Sequence, residues 1–138
     1  ILGIDRENNL IVIGGGHLGQ AIANYANFER RGFYIKAIFD IDPEIIGKEV
    51  RGVRVYSMDE LEDFIKKNDI HIAALAIPKL QAEEVAKRLV AAGIVGIWNY
   101  AHIDLQVPDN VVVENVHLSE SLMRLSYRVN REMDKTKK

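Results

Sequence analysis

At 138 residues, 48% of them hydrophobic and 28% charged, the chain is long enough for one domain with a sizeable core and too apolar for a disordered segment. It has no cysteine, which excludes disulfides, thiolate metal sites and a cysteine nucleophile, and it is expected to be cytoplasmic. A net charge of −2 gives no overall attraction to nucleic acid, and no apolar run approaches the roughly 18–20 residues that span a bilayer, so neither partner is expected of this stretch itself.

The chain opens on Ile1 rather than methionine and is expected to be a piece of a longer protein, with residues 1–9 a linker remnant. Residues 10–13 form an unbroken aliphatic run, the pattern of a strand buried on both faces of a parallel sheet. The run ends in Gly14-Gly15-Gly16-His17-Leu18-Gly19, whose glycines at 14, 16 and 19 spell G-x-G-x-x-G. In a strand–turn–helix that holds a dinucleotide, the first glycine makes the tight turn and the second lets backbone approach a pyrophosphate. The third lets the helix pack close against the strand. A helix follows through about residue 31, with apolar positions at Leu18, Ile22, Tyr25, Ala26 and Phe28, and Gly32 ends it.

Residues 33–39 are a second strand closed by Asp40, 21 positions beyond Gly19. That is about the 20-residue spacing of a carboxylate that accepts hydrogen bonds from an adenosine ribose. A 2′-phosphate would be repelled there, so NAD(H) is expected over NADP(H). The plainer alternative is that Asp40 only caps the loop at Ile41-Asp42-Pro43. A short helical turn stopped by Gly47 is expected next, then a third strand over 49–56 bent at Gly52. Ser57-Met58-Asp59-Glu60 has the S-x-x-E form of a capping box and opens a helix to about Lys67. A fourth strand over 70–77 is ended by Pro78, with His71 read as a hydrogen-bonded core residue. A helix over 81–92, a fifth strand over 94–98, a loop over 99–108 and a short strand over 110–113 complete the alternation.

Strand and helix alternate as in an α/β, Rossmann-like, doubly wound and mostly parallel sheet over residues 10–116. Residues 117–134 break that rhythm. Leu118, Leu122, Leu125, Val129 and Met133 form one apolar stripe on a protruding C-terminal helix, suited to cross into a second subunit, and residues 135–138 are a basic tail. The four histidines match no metal-binding spacing, so no metal is expected.

Beyond the glycine loop, Tyr25, Gly32-Phe33, Phe39-Asp40, Pro43, Ile46-Gly47, Ile77-Pro78, Gln81-Ala82, Gly93-Ile94, Gly96-Ile97 and Trp98-Asn99-Tyr100 make a longer pattern, continued by Val107-Pro108 and by Val113 to Leu118. Through it the chain resembles the nucleotide-binding domain of the Rex family of redox-sensing transcriptional repressors. The resemblance implies a non-enzymatic homodimer that senses NADH against NAD⁺, with the C-terminal helix exchanged between subunits. Operator DNA would be bound by a winged-helix domain preceding Ile1 and released when NADH binds. It also implies a site in which Gly14, Gly15, Gly16, His17, Leu18 and Gly19 cradle the pyrophosphate and Asp40 holds the ribose. Ile77, Pro78, Asn99 and Tyr100 would line the nicotinamide side, and Tyr25 and His117 would join the switch at the dimer contact. His17 and His117 depart from the arginine and aspartate found in some members of the family. Two other readings stand beside this one: the nucleotide-binding half of an NAD-dependent dehydrogenase, and a CoA- or nucleotide-binding module of a transferase or ligase.

Overall fold

The computed structural model describes residues 8–24 and 31–136, and Tyr25, Ala26 and Phe28 fall outside them. The elements in order are β1 (Asn8–Ile13), α1 (His17–Ala23), β2 (Phe33–Asp40), β3 (Glu49–Val50), β4 (Val53–Ser57), α2 (Leu61–Lys67), β5 (Ile72–Leu75), α3 (Lys79–Ala92), β6 (Gly96–Asn99), β7 (Val112–Asn115) and α4 (Leu118–Thr136). The sheet runs β3-β4-β2-β1-β5-β6-β7. Every pairing in it is parallel except the short β3–β4 ladder. Setting β3 aside, this is the doubly wound order in which the chain starts at the centre, builds outward to one edge, then returns and builds to the other. The reversal falls between β1 and β5, and ligands of such sheets bind beyond the carboxyl ends of the strands at that point.

The central strands are buried on both faces, which is why they read as aliphatic runs. Ile11 and Ile13 point into one apolar layer with Phe39, Ala73, Leu75 and Ile97, under α2 and α3. Leu10, Val12, Ile38 and Ala74 point into the other, where Ile22 of α1 packs. In the first layer Phe39, Tyr56 and Phe64 pack as an aromatic trio with ring centroids 5.0–5.7 Å apart.

Three local features differ from expectation. The segment 49–57 is a hairpin, because Arg51 and Gly52 both take positive φ (51° and 80°) and reverse the chain in two residues. The last strand lies at Val112–Asn115, two residues later than expected, after a turn closed by the Val111 N–H on the Pro108 carbonyl. The capping box at Ser57 is formed, with the Ser57 N–H donating to Glu60 Oε2 at 3.3 Å and the Asp59 N–H donating to Ser57 Oγ at 3.2 Å. It opens a single 3₁₀ turn (Met58–Glu60) that runs into α2. Gly93 caps α3 at φ 113°. His71 is a correction. β5 begins one residue after it, and its ring lies exposed, 3.2 Å from Asp69 Oδ1, rather than in the core.

Arg88 of α3 ties the two helices of the first layer together. Its Nε and Nη2 donate to the Glu62 carboxylate at 2.7 Å each, and Nη2 also donates to the Met58 carbonyl at 2.6 Å. The guanidinium hydrogen bonds hold the Glu62 carboxyl below its ordinary 4.5, against a smaller opposing effect of burial. The reciprocal hydrogen bond raises Arg88. A carboxyl depressed on folding stabilises the fold above about its ordinary value, and that contribution is lost as the pH falls through the lowered one. Arg88→Met is therefore expected to cost about 1 kcal/mol at neutral pH, the ceiling for a pair more than a third exposed to solvent. It should also flatten the acid limb of the stability curve below pH 4.5, which urea melts at several pH values would read out.

α4 lies apart from both layers. Every described side chain on it, from residue 122 to 136, is exposed, including Leu122 (67%), Leu125 (58%) and Val129 (46%). The layer that α1 covers over β1 and β2 has no helix over β5–β7 among the described residues. There, at the amino ends of the strands, Leu10, Phe33, Ile72, Trp98 and Val112 line an apolar groove of about 450 Å³ with Arg31 and Glu114 on its lining. This groove is at the opposite end of the sheet from the glycine loop.

Candidate functional site

The site is built where β1, β2 and β5 deliver their carboxyl ends. The Gly14 N–H donates to the Phe39 carbonyl at 2.8 Å, extending the β1–β2 ladder by one rung, and φ of 108° then turns the chain across the sheet. A Cβ on Gly14 would lie 2.2 Å from the Ala76 carbonyl oxygen, and one on Gly19 would lie 1.7 Å from the Gly14 oxygen. Both glycines are thus required by close backbone approach within the protein itself.

Gly16 is different. A Cβ there would meet nothing within 4 Å, and its φ of −74° is open to any residue. The fold supplies no reason for glycine at this position, whereas a ligand lying on the backbone supplies one: a side chain would fill its place. Gly16 is the N-cap of α1, has no side chain to cap the helix, and is followed by no acidic residue in the first turn. The local charge is therefore the positive end of a short row of N–H groups, a setting for a phosphate. His17, the first helical residue, is exposed, Leu18 is half-buried against Ile22 and its neighbours, and Gly19 is buried.

Asp40 faces this loop. Its Oδ2 accepts the Gly15 N–H at 2.5 Å, and its Oδ1 accepts the N–H groups of Ile41 and Asp42 at 2.7 and 2.9 Å. The carboxylate caps its own loop, as the plainer reading held, and also reaches across to the glycine turn. Sequence reasoning missed the other half of this clamp: Gln20 Nε2 donates to the Gly15 carbonyl at 2.9 Å. The only signal for it was a long amide one turn after the glycines. Ile45 was missed as well; its Cδ1 would lie 2.7 Å from a Cβ on Gly15 and closes the space beside Asp40.

Of the other expected site residues, Ile77 is brought to the loop, with its Cγ2 3.1 Å from the place of a Gly14 Cβ. Pro78 is exposed and is the N-cap of α3. Asn99 stands at the carboxyl end of β6 but is 1% exposed and fully engaged. Its Nδ2 donates to the Ile103 carbonyl and to Asn115 Oδ1, and its Oδ1 accepts the Ala101 N–H, all at 2.9–3.0 Å. It shapes the loop after β6 rather than presenting its own amide outward. Tyr100 follows β6 with its N–H on the Leu75 carbonyl at 3.0 Å and its ring edge-on to Trp98, and burial raises its phenol. His117 is exposed beyond β7, three strands from β1, and Tyr25 lies outside the described residues. Among the described residues no three His, Asp or Glu side chains gather as metal ligands, and no helix is long and apolar enough to cross a membrane.

Residues 5–103 match the CoA-binding domain family. The chain belongs to that family. Along nearly its whole length it is also similar to redox-sensing transcriptional repressors named Rex, which bears out the resemblance drawn from the sequence. It is 58% identical over 127 residues to the protein of Clostridioides difficile (strain 630), covering 92% of this chain and 60% of that one. With the protein of Thermoanaerobacter sp. (strain X514) the identity is 55% over 132 residues, covering 96% of this chain and 59% of that one. Crystal structures of RSP, a Rex-family repressor, match with TM-scores of 0.89 alone, 0.89 in complex with β-NADH and 0.88 in complex with β-NAD⁺ and operator DNA. Identity to RSP is 54%, over 99% of this chain and 63–66% of those chains. The chain thus spans about 60% of the length of the curated relatives it matches.

Proposed function

We propose that this chain is the NAD(H)-binding domain of a redox-sensing transcriptional repressor, binding the dinucleotide without turning it over. One observation carries the reading. Gly14 and Gly19 are explained by the protein's own packing and Gly16 is not, and its neighbour Gly15 donates its N–H to the carboxylate of Asp40 at the reversal point of the sheet. The backbone around Gly14–Gly19 would take the pyrophosphate, with His17 and Leu18 at its edge, and Asp40 the adenosine ribose. Ile77, Pro78 and Tyr100 would border the nicotinamide, on a loop that Asn99 holds in shape, and Tyr25 and His117 would pass its state to the dimer contact. The similarity to RSP, which has been crystallised with β-NADH and with β-NAD⁺ and operator DNA, supports this assignment. In the whole protein, operator DNA would be engaged by a domain outside this chain, in the cytoplasm.

The name of the CoA-binding domain family favours a second reading, in which the same loop holds CoA. Asp40 argues against it. CoA carries a 3′-phosphate on the ribose that a carboxylate at this position would repel, whereas both ribose hydroxyls of NAD(H) can donate to it. A dehydrogenase half is disfavoured because, among the described residues, no side-chain hydrogen bond or ion pair joins Lys79, His102 and Tyr100 into an acid–base set. NADH fluorescence titration tests the proposal: saturable binding with no oxidation on adding 2-hydroxy acids, aldehydes or sugars is the expected result.

α4 would be the dimer element. Its apolar stripe is exposed from Leu122 to Met133, and the groove over β5–β7 is a surface of matching character. A switch between two dimer arrangements needs only about 1–3 kcal/mol of coupling to be useful. Sedimentation should show a dimer at micromolar concentration, and Leu125→Asp together with Val129→Asp should shift it to monomer without unfolding the sheet. A wild-type monomer would contradict the assignment of α4.

A further inference from the structure

The Gly15 backbone is held from two sides: its N–H by Asp40 Oδ2 and its carbonyl by Gln20 Nε2. The second contact sets an orientation. Peptide groups are planar, and no described bond is cis, so the Gly15 carbonyl and the Gly16 N–H point in opposite directions. With the carbonyl turned to Gln20 on α1, the Gly16 N–H is turned away from that helix. A Cβ on Gly16 would meet no described atom within 4 Å, and among the described residues the Gly16 N–H has no acceptor. The Gly14–Gly15 peptide obeys the same rule and gives a check on the geometry. Its N–H is on Asp40, and its carbonyl lies on the other side, against Gly19.

We propose that Gln20 is a positioning residue for the loop: by holding the Gly15 carbonyl it fixes the Gly15–Gly16 peptide so that the Gly16 N–H is presented to a diphosphate. The inference rests on the nucleotide site proposed above and names a residue whose side chain hydrogen-bonds the loop. A glycine pair with no side chains depends on contacts such as this to choose between the two faces of its peptide, since glycine populates positive and negative φ about equally. A flipped peptide would aim the Gly15 carbonyl, a partial negative charge, at the phosphates.

The test compares wild type with Gln20→Met, which keeps length and helix propensity but cannot donate, and Gln20→Glu, which can only accept when ionised. Binding of NADH, ADP and adenosine is measured by competition and calorimetry, with the thermal midpoint recorded alongside. The expected result is a loss of roughly 5–10-fold for NADH and ADP in Gln20→Met, one hydrogen bond's worth, and a larger loss in Gln20→Glu, with adenosine unchanged in both. In ¹⁵N-labelled wild type the Gly16 amide proton should move downfield on adding ADP, and move less in Gln20→Met. Equal losses for ADP and adenosine, or no loss for either, would overturn the assignment of Gln20. A wild type that binds ADP but not NADH would refute the dinucleotide reading while leaving the Gln20 comparison readable, and one that binds none of the three would overturn both.

Discussion

Gly19→Ala is expected to destabilise the domain by about 3 kcal/mol or more, while Gly16→Ala leaves its stability within about 0.5 kcal/mol and abolishes most NADH binding. The contrast follows from what an added methyl would meet. At Gly19 it would lie 1.7 Å from the Gly14 carbonyl oxygen, with Val12 Cγ1 at 3.5 Å behind it, and the helix could make room only by lifting off β1. Backbone cannot yield there as a flexible side chain would, so the cost is paid in the packing of Ile22 against the second apolar layer. At Gly16 the methyl meets no described atom within 4 Å, and the φ of −74° is ordinary for alanine. Its only collision would be with whatever lies on the loop. Denaturant melts of the two variants, set beside their NADH affinities, separate a glycine needed for folding from one needed for ligand. Equal stability losses would mean that Gly16 is also structural.

The second large effect is at Asp40. Wild type is expected to prefer NADH over NADPH by at least about 100-fold. The carboxylate gains charge-assisted hydrogen bonds from the ribose hydroxyls, each stronger than a neutral one, and repels a 2′-phosphate at short range. Asp40→Ala should weaken NADH by roughly 10–100-fold, in line with the 1.5–3 kcal/mol of a hydrogen bond to a charged group, and bring NADPH nearly level. Part of the loss will reflect the Gly15 N–H and the Ile41–Asp42 turn, which also lose their acceptor. Asp40→Asn separates the two contributions: it keeps an oxygen for one of those N–H groups but removes the charge, so discrimination should fall further than stability. Calorimetric titration with both cofactors measures this, and equal affinities in wild type would remove Asp40 from the site.

Much of this was readable in the residues because the relevant physics is local. Aliphatic runs ending in glycine, and Asp40 closing the second run, identified the loop and its acid at the right ends of β1 and β2. The alternation of strand and helix then implied a parallel, doubly wound sheet, while the order of its strands is a tertiary fact. Where the reading slipped, the deciding fact was conformational or tertiary. Arg51 gives no outward sign that it will take a left-handed conformation, so a hairpin looked like one bent strand. His71 lies between apolar neighbours, yet β5 starts just after it, and an exposed ring beside Asp69 replaced a buried one. The three hydrogen bonds that engage the Asn99 amide inside the loop were not legible either, since only the packing of residues 101, 103 and 115 defines them. The Gln20–Gly15 contact depends on a side chain reaching back five residues over a turn of unusual shape. The stripe on α4 was plain from its spacing, and its exposure from Leu122 onward is what gives that stripe meaning.

The central claim is that the loop at Gly14–Gly19 with Asp40 selects NAD(H). The most direct test is calorimetric titration of this chain with NADH, NADPH and CoA in parallel at fixed ionic strength. The account predicts one NADH site per chain, with NADPH and CoA each at least about 100-fold weaker. Tight CoA binding with no measurable NADH affinity would contradict it.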